Sequence, residues 1–133
     1  MGTPGTFTLR KAERVTGKKL VEEIFSSGSR SIANHPLRLV YRLVPRKADK
    51  SQAVVLFSVP KRHLKRAVWR NRVKRQLRES YRLNKQILYQ ALSNMPENQM
   101  LAMAFIWQEG AIKETRTVEY RVRNLLERLA ERL

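Results

Sequence analysis

Eight consecutive residues, Met100 to Trp107 (MLAMAFIW), carry no charge and no polar chain longer than an indole N–H. The run is far below the roughly 18–20 residues of a membrane span. It reads instead as a strand apolar on both faces, and such a strand needs cover above and below. The fold is therefore expected to place helices on a sheet. A second apolar run, Ala53 to Val59, suits a central strand that Pro60 ends. Leu37 to Val44 alternates: Leu37, Leu39, Tyr41 and Leu43 share one face, and Arg38, Val40, Arg42 and Val44 the other. That is the pattern of a half-buried strand.

Helical spacing surrounds these strands. Thr16 can cap a short helix that ends near Gly28 and carries Leu20, Val21, Ile24 and Phe25 on one side. A longer helix is expected from His63–Ala67 to about Leu92. The last helix runs roughly from Glu114 to Arg132, with Val118, Val122, Leu125, Leu126, Leu129 and Leu133 on one stripe. Residues 1–8 read as a flexible lead-in and residues 9–133 as one domain. The expected class is an α+β sandwich, helices packed on a small mixed sheet.

Charge then narrows what such a sandwich is for. The chain has 28 Lys and Arg against 11 acids, a net charge of +17. That excess opposes compaction and makes sense with a polyanionic partner. The absence of cysteine rules out disulfides and thiolate metal sites, and a reducing compartment, the cytoplasm, fits. No long apolar segment points to a membrane and no signal peptide is visible.

The charge concentrates in Lys61 to Arg82 (KRHLKRAVWRNRVKRQLRESYR), where ten cations accompany one acid, Glu79. The cations are Lys61, Arg62, Lys65, Arg66, Arg70, Arg72, Lys74, Arg75, Arg78 and Arg82. At about 100° per residue, Trp69, Val73, Leu77, Ser80 and Tyr81 fall on one side. Asn71, Lys74, Arg75, Arg78 and Arg82 fall opposite. Like charges four residues apart repel by a few tenths of a kcal/mol, so the free helix is disfavoured and approaching phosphates relieve it. Ordinary solvated faces mix signs; this one is nearly all positive and rich in Arg, whose planar fork suits phosphate. A DNA-reading helix usually carries more Asn, Gln, Ser or Thr. Here only Asn71 and Gln76 could read bases, so backbone recognition of folded RNA fits better.

These residues also resemble a known family. Lys61-Arg62, Arg66-Ala67, Arg70-Asn71-Arg72-Val73-Lys74-Arg75, Arg78-Glu79 and Tyr81-Arg82 are similar to the RNR motif of the bacterial ribonuclease P protein family. Phe7, Leu9, Lys11, Glu13-Arg14, Ile24-Phe25 with Gly28, Tyr41 and Ser58-Val59 extend the likeness over residues 7–107. The resemblance implies the order αβββαβα, a ribosomal protein S5 domain 2-like fold, with a short extra strand near Arg30–Ala33. It also implies a left-handed βαβ crossover, against the usual right-handed rule.

By the same resemblance the partners are the catalytic RNA of ribonuclease P and precursor tRNA, whose 5′ leader is removed. The RNA performs the chemistry with Mg2+, the protein alone binds no cofactor, and one protein monomer joins one RNA. Lys61, Arg62, Arg66, Arg70, Asn71, Arg72, Lys74, Arg75, Arg78 and Arg82 would contact RNA, while Phe25 and Tyr41 would line a leader cleft between the sheet and the first helix. A second aromatic expected one turn before Phe25 is Val21 here.

Other readings stay open at this point. Phe25 fits a core position as well as a leader contact, and Tyr41 fits partial burial as well as stacking. Composition allows a ribosomal or RNA-chaperone role equally. An independent nuclease would need clustered carboxylates or a positioned His. Asp49, Glu22, Glu23, Glu127 and Glu131 offer no convincing pair, and His35 and His63 lie far apart without the partners a zinc site needs.

Overall fold

The apolar runs form neighbouring strands at the centre of one sheet. In the computed structural model, residues 9–133 are described; the lead-in expected over residues 1–8, Phe7 included, lies outside them. After a short 3-10 turn at Lys11–Glu13 come α1 (Lys18–Ile24), β1 (Arg30–Asn34), β2 (Leu37–Pro45), β3 (Ala53–Ser58), α2 (Ala67–Ala91), β4 (Gln99–Trp107) and α3 (Thr115–Arg132). The strands lie in the order β1-β2-β4-β3. β1–β2 and β2–β4 are antiparallel, whereas β3 and β4 are parallel and joined through α2.

β4 is central, and its side chains are buried on both faces from Met100 to Phe105. On one face, α2 and α3 cover the sheet. Val73, Leu77 and Tyr81 of α2 and Val122, Leu125 and Leu129 of α3 meet Leu39, Met103, Phe105 and Trp107 there. The rings of Phe57, Tyr81 and Phe105 pack with centroids 6.0–6.1 Å apart, stacked or edge-on, within the preferred range of aromatic pairs. On the other face, Leu20 and Ile24 of α1 sit against Val44, Val54, Met100, Ala102 and Ala104. The short α1 covers only part of this face, leaving Val40, Leu56 and Ile106 half-buried.

Several boundaries depart from the sequence reading. Thr16 does not cap α1; Gly17 does, at φ 89°, a conformation that side chains disfavour. β1 is a full five-residue strand, because pairing with β2 supplies what its own sequence does not. Leu43 and Leu133 continue apolar stripes yet remain 48% and 43% exposed, for the helices stop short of covering them. Trp69 is only partly buried, with the Arg66 guanidinium 6.0 Å from its ring centroid.

Candidate nucleic-acid interface

The basic segment folds as its spacing requires. Val73, Leu77, Ser80 and Tyr81 are buried, and that stripe fixes the rotation of α2. Asn71, Arg72, Arg75 and Arg78 are consequently exposed, and Arg70, Lys74 and Arg82 partly so. Lys61, Arg62 and Arg66 are exposed in the turn leading into α2, which Leu64 pins by burying its side chain. Arg70 Nη1 donates to the carbonyl oxygens of Leu64 and Lys65 at 3.0 and 2.6 Å, tying this turn to the helix.

Carboxylates do not neutralise this surface. Among the described residues, the ion pairs on α2 are Arg82–Glu79 at 2.6 Å, on its surface, and the buried Lys85–Glu13. The remaining cations of the segment have no acidic partner among the described residues. The charge is also divided by flank. Lys74 and Arg78 lean toward the outer edge of β3, beside Arg14, while Arg75 and Arg72 turn progressively away from it along the helix.

Two expected contacts are corrected. Gln76 is buried and cannot read bases: its Nε2 donates to Lys113 O at 3.0 Å and to Thr115 Oγ1 at 3.1 Å, stitching α2 to the start of α3. Tyr41 does not share a cleft with Phe25. It is 6% exposed on the face covered by α2 and α3, and its hydroxyl accepts a hydrogen bond from Arg132 Nη1 at 3.0 Å. Phe25, just past the end of α1, is 47% exposed on the opposite side of the sheet. Val21, one turn earlier, is half-buried.

The neighbours of Tyr41 within β2 are what the α1 side presents. Arg38, Val40 and Arg42 project there; Arg38 Nη1 donates to Ser31 Oγ at 3.0 Å and Arg42 Nη1 to Ser26 Oγ. Gly28 lies under the Arg42 guanidinium, where a Cβ would collide with it. The alternation of β2 contained this signal, but not which face α1 would take.

A buried ion pair supports the site from behind. Glu13 accepts from Lys85 Nζ, from the Tyr89 hydroxyl at 2.9 Å and from the Arg10 backbone N–H at 2.8 Å. Burial opposes its charge, yet these three donors outweigh burial and hold the carboxyl below its ordinary value. Burial raises the Tyr89 hydroxyl well above its usual range. Neither Glu13 nor Lys85 stands out in the sequence, since they are 72 residues apart.

Fold and surface together define an α+β sandwich protein that carries an outward, unneutralised cationic helix between two parallel strands. The Ribonuclease P family model matches residues 9–130, so the chain belongs to the ribonuclease P protein family. The ribonuclease P protein component of Porphyromonas gingivalis is 39% identical over 131 residues, covering 98% of this chain and 92% of its own. That of Chlorobaculum tepidum is 35% identical, covering 93% and 84%. The fold is similar to the RNase P protein of Staphylococcus aureus (TM-score 0.66, 19% identity, 90% and 96% covered). It is similar as well to that of Thermotoga maritima (TM-score 0.63, 22% identity, 87% and 96% covered).

Proposed function

We propose that this chain is the protein subunit of ribonuclease P, acting in the cytoplasm as one protein bound to one catalytic RNA during removal of the 5′ leader from precursor tRNA. The observation that carries the reading is the outward face of α2, where Asn71, Arg72, Lys74, Arg75 and Arg78 stand without acidic partners among the described residues. Phosphates of the catalytic RNA would settle on this face, each neutralised phosphate releasing counterions. Family membership and the near full-length similarity to ribonuclease P protein components support the same assignment.

The leader would cross the α1 side of the sheet, over Phe25, Val40 and the guanidinium groups of Arg38 and Arg42. With one exposed ring rather than two, leader binding here relies more on phosphate contact than on stacking. Cleavage belongs to the RNA, with Mg2+ supplying the metal-ion chemistry there. This chain contributes charge, shape and position. No helix of the described residues is long and apolar enough to cross a membrane.

Reconstitution with the cognate RNA tests the proposal. The protein should lower the Mg2+ concentration needed for cleavage and raise the preference for precursor over mature tRNA. Absence of both effects would exclude the assignment. Cleavage by the protein alone would point to an independent nuclease.

A further inference from the structure

Tyr120 stands on the outward face of α3 and is 52% exposed. It lies opposite the buried stripe of Val118, Val122, Leu125 and Leu129, so packing does not account for it. Two guanidinium groups flank its ring. The Cζ of Arg121 lies 5.6 Å from the ring centroid and that of Arg123 5.9 Å. At about 100° per residue the two arise on opposite sides of the tyrosine. Neither has an acidic partner among the described residues, and neither does Arg116, one turn earlier on the same face.

The two guanidinium groups differ in how they are held. Arg121 Nη1 donates to Asn34 Oδ1 at 3.1 Å, and Asn34 Nδ2 donates in turn to Asn124 Oδ1 at 2.8 Å. That chain ties one neighbour of the ring to the end of β1. Arg123 is exposed and makes no hydrogen bond or ion pair among the described residues, so it can leave the ring without breaking one. A base stacked on an aromatic ring is held more strongly than an exposed guanidinium. An unpaired base can therefore replace Arg123 on Tyr120, while Arg123 and Arg116 turn to its phosphates. A base inside a duplex offers no such face, so the ligand is single-stranded. The acids of α3 leave the site open. Glu119 is half-buried on the flank that Thr115 turns to α2, and Glu127 and Glu131 lie about two and three turns further along.

We propose that Tyr120 and Arg123 form a second contact for the catalytic RNA, seating one unpaired nucleotide; the proposal rests on the reading that this RNA occupies α2. Both α2 and α3 cover the same face of the sheet, so their outward faces point the same way. Packed helices lie about 8–10 Å apart, and Arg72 and Arg75 are exposed on α2. An RNA resting on these two residues reaches Tyr120 without leaving the protein. The surface assigned to the leader lies on the opposite face of the sheet.

Affinity of the full chain for the catalytic RNA is measured across a salt series for the wild type, Tyr120→Ala, Tyr120→Phe and Arg123→Gln. Tyr120→Ala should weaken binding at least about fivefold, the low end of what one stacked base contributes. Tyr120→Phe should bind as the wild type does, because the ring makes the contact. Arg123→Gln should reduce the slope of log K against log salt by about one unit. Tyr120 lies outside the core, and an unchanged melting temperature verifies the fold of each variant. Unaltered affinity in Tyr120→Ala overturns the contact. Equal losses in Tyr120→Ala and Tyr120→Phe overturn stacking, and an unchanged slope in Arg123→Gln overturns the exchange of ring for phosphate.

In the preassembled holoenzyme, Tyr120→Ala should leave precursor tRNA affinity unchanged. A loss there, with binding of the catalytic RNA intact, would move the nucleotide to the substrate and overturn the assignment. Wild-type protein that fails to bind the catalytic RNA defeats the functional reading itself, whereas binding that survives Tyr120→Ala defeats only the contact on α3.

Discussion

Lys85 Nζ lies 2.8 and 3.0 Å from the two carboxylate oxygens of Glu13, and both side chains are almost wholly buried. This contact joins the N-terminal segment to the C-terminal part of α2. Removing one partner strands the other charge in a poorly solvated site, which typically costs about 3–5 kcal/mol. Lys85→Met should therefore destabilise the protein by roughly that amount in denaturant titration. The double variant Glu13→Gln/Lys85→Met should recover a substantial part, since no charge is then left alone. A double variant no more stable than Lys85→Met would show that the pair itself, not the orphaned carboxylate, dominates.

The same pair sets an acid limit on stability. Glu13 has its pKa lowered in the folded chain, so the folded state favours its ionised form. The contribution is fully present above the ordinary carboxylate pKa of about 4.3 and is lost as pH falls through the lower folded value. Thermal stability of the wild type should fall in that acidic window. The Glu13→Gln variant should be less stable at neutral pH but show a shallower decline below about pH 4. Parallel curves would rule out Glu13 as the titrating group.

What could be read in advance follows from the range of each interaction. The buried stripe Val73–Leu77–Tyr81 and the opposed cations of α2 repeat within a few residues, so spacing alone yields both. β2 likewise shows its two faces by alternation. Which face meets α1 is decided by the whole topology, so a motif resemblance can pair Tyr41 with Phe25 although they belong to opposite faces of the sheet. Glu13–Lys85 and Gln76–Lys113 join segments far apart in the chain, beyond any local pattern. The start of α1 at Gly17 reflects a positive φ that Thr16 would strain to adopt.

Gln76 separates packing from recognition. Gln76→Ala removes hydrogen bonds to Lys113 O and Thr115 Oγ1, acceptors that water can still reach. A loss of stability of about 0.5–1.5 kcal/mol is expected. RNA affinity measured well below the melting temperature should keep its salt dependence. A reduced salt slope would return Gln76 to the interface.

Cations of α2 should differ by the partner each already has. Lys74 has no acidic partner among the described residues, whereas Arg82 is held by Glu79 at 2.6 Å. Lys74→Ala should reduce the slope of log K against log salt by roughly one unit in binding to the catalytic RNA. Arg82→Ala should change it less, because Arg82 must leave Glu79 or share its charge with it. Equal reductions would mean that the Arg82–Glu79 pair opens on RNA binding, and an unchanged slope for Lys74→Ala would remove Lys74 from the contact surface.

The two sides of β2 provide the sharpest comparison, since adjacent residues point in opposite directions. Tyr41→Phe deletes a hydroxyl bonded to Arg132 beneath α3, and should cost about 1 kcal/mol of stability. Precursor affinity should be unaffected. Arg42→Ala removes a guanidinium from the α1 side, where it is held by Ser26; precursor binding should weaken at low salt and the difference should shrink as salt screens the phosphate contact. Gly28→Ala should act on the same guanidinium by displacing it, and weaken the precursor in the same salt-dependent way. If Tyr41→Phe instead lowered precursor affinity while Arg42→Ala did not, the leader would lie on the α3 side of the sheet, and the path across α1 would be wrong.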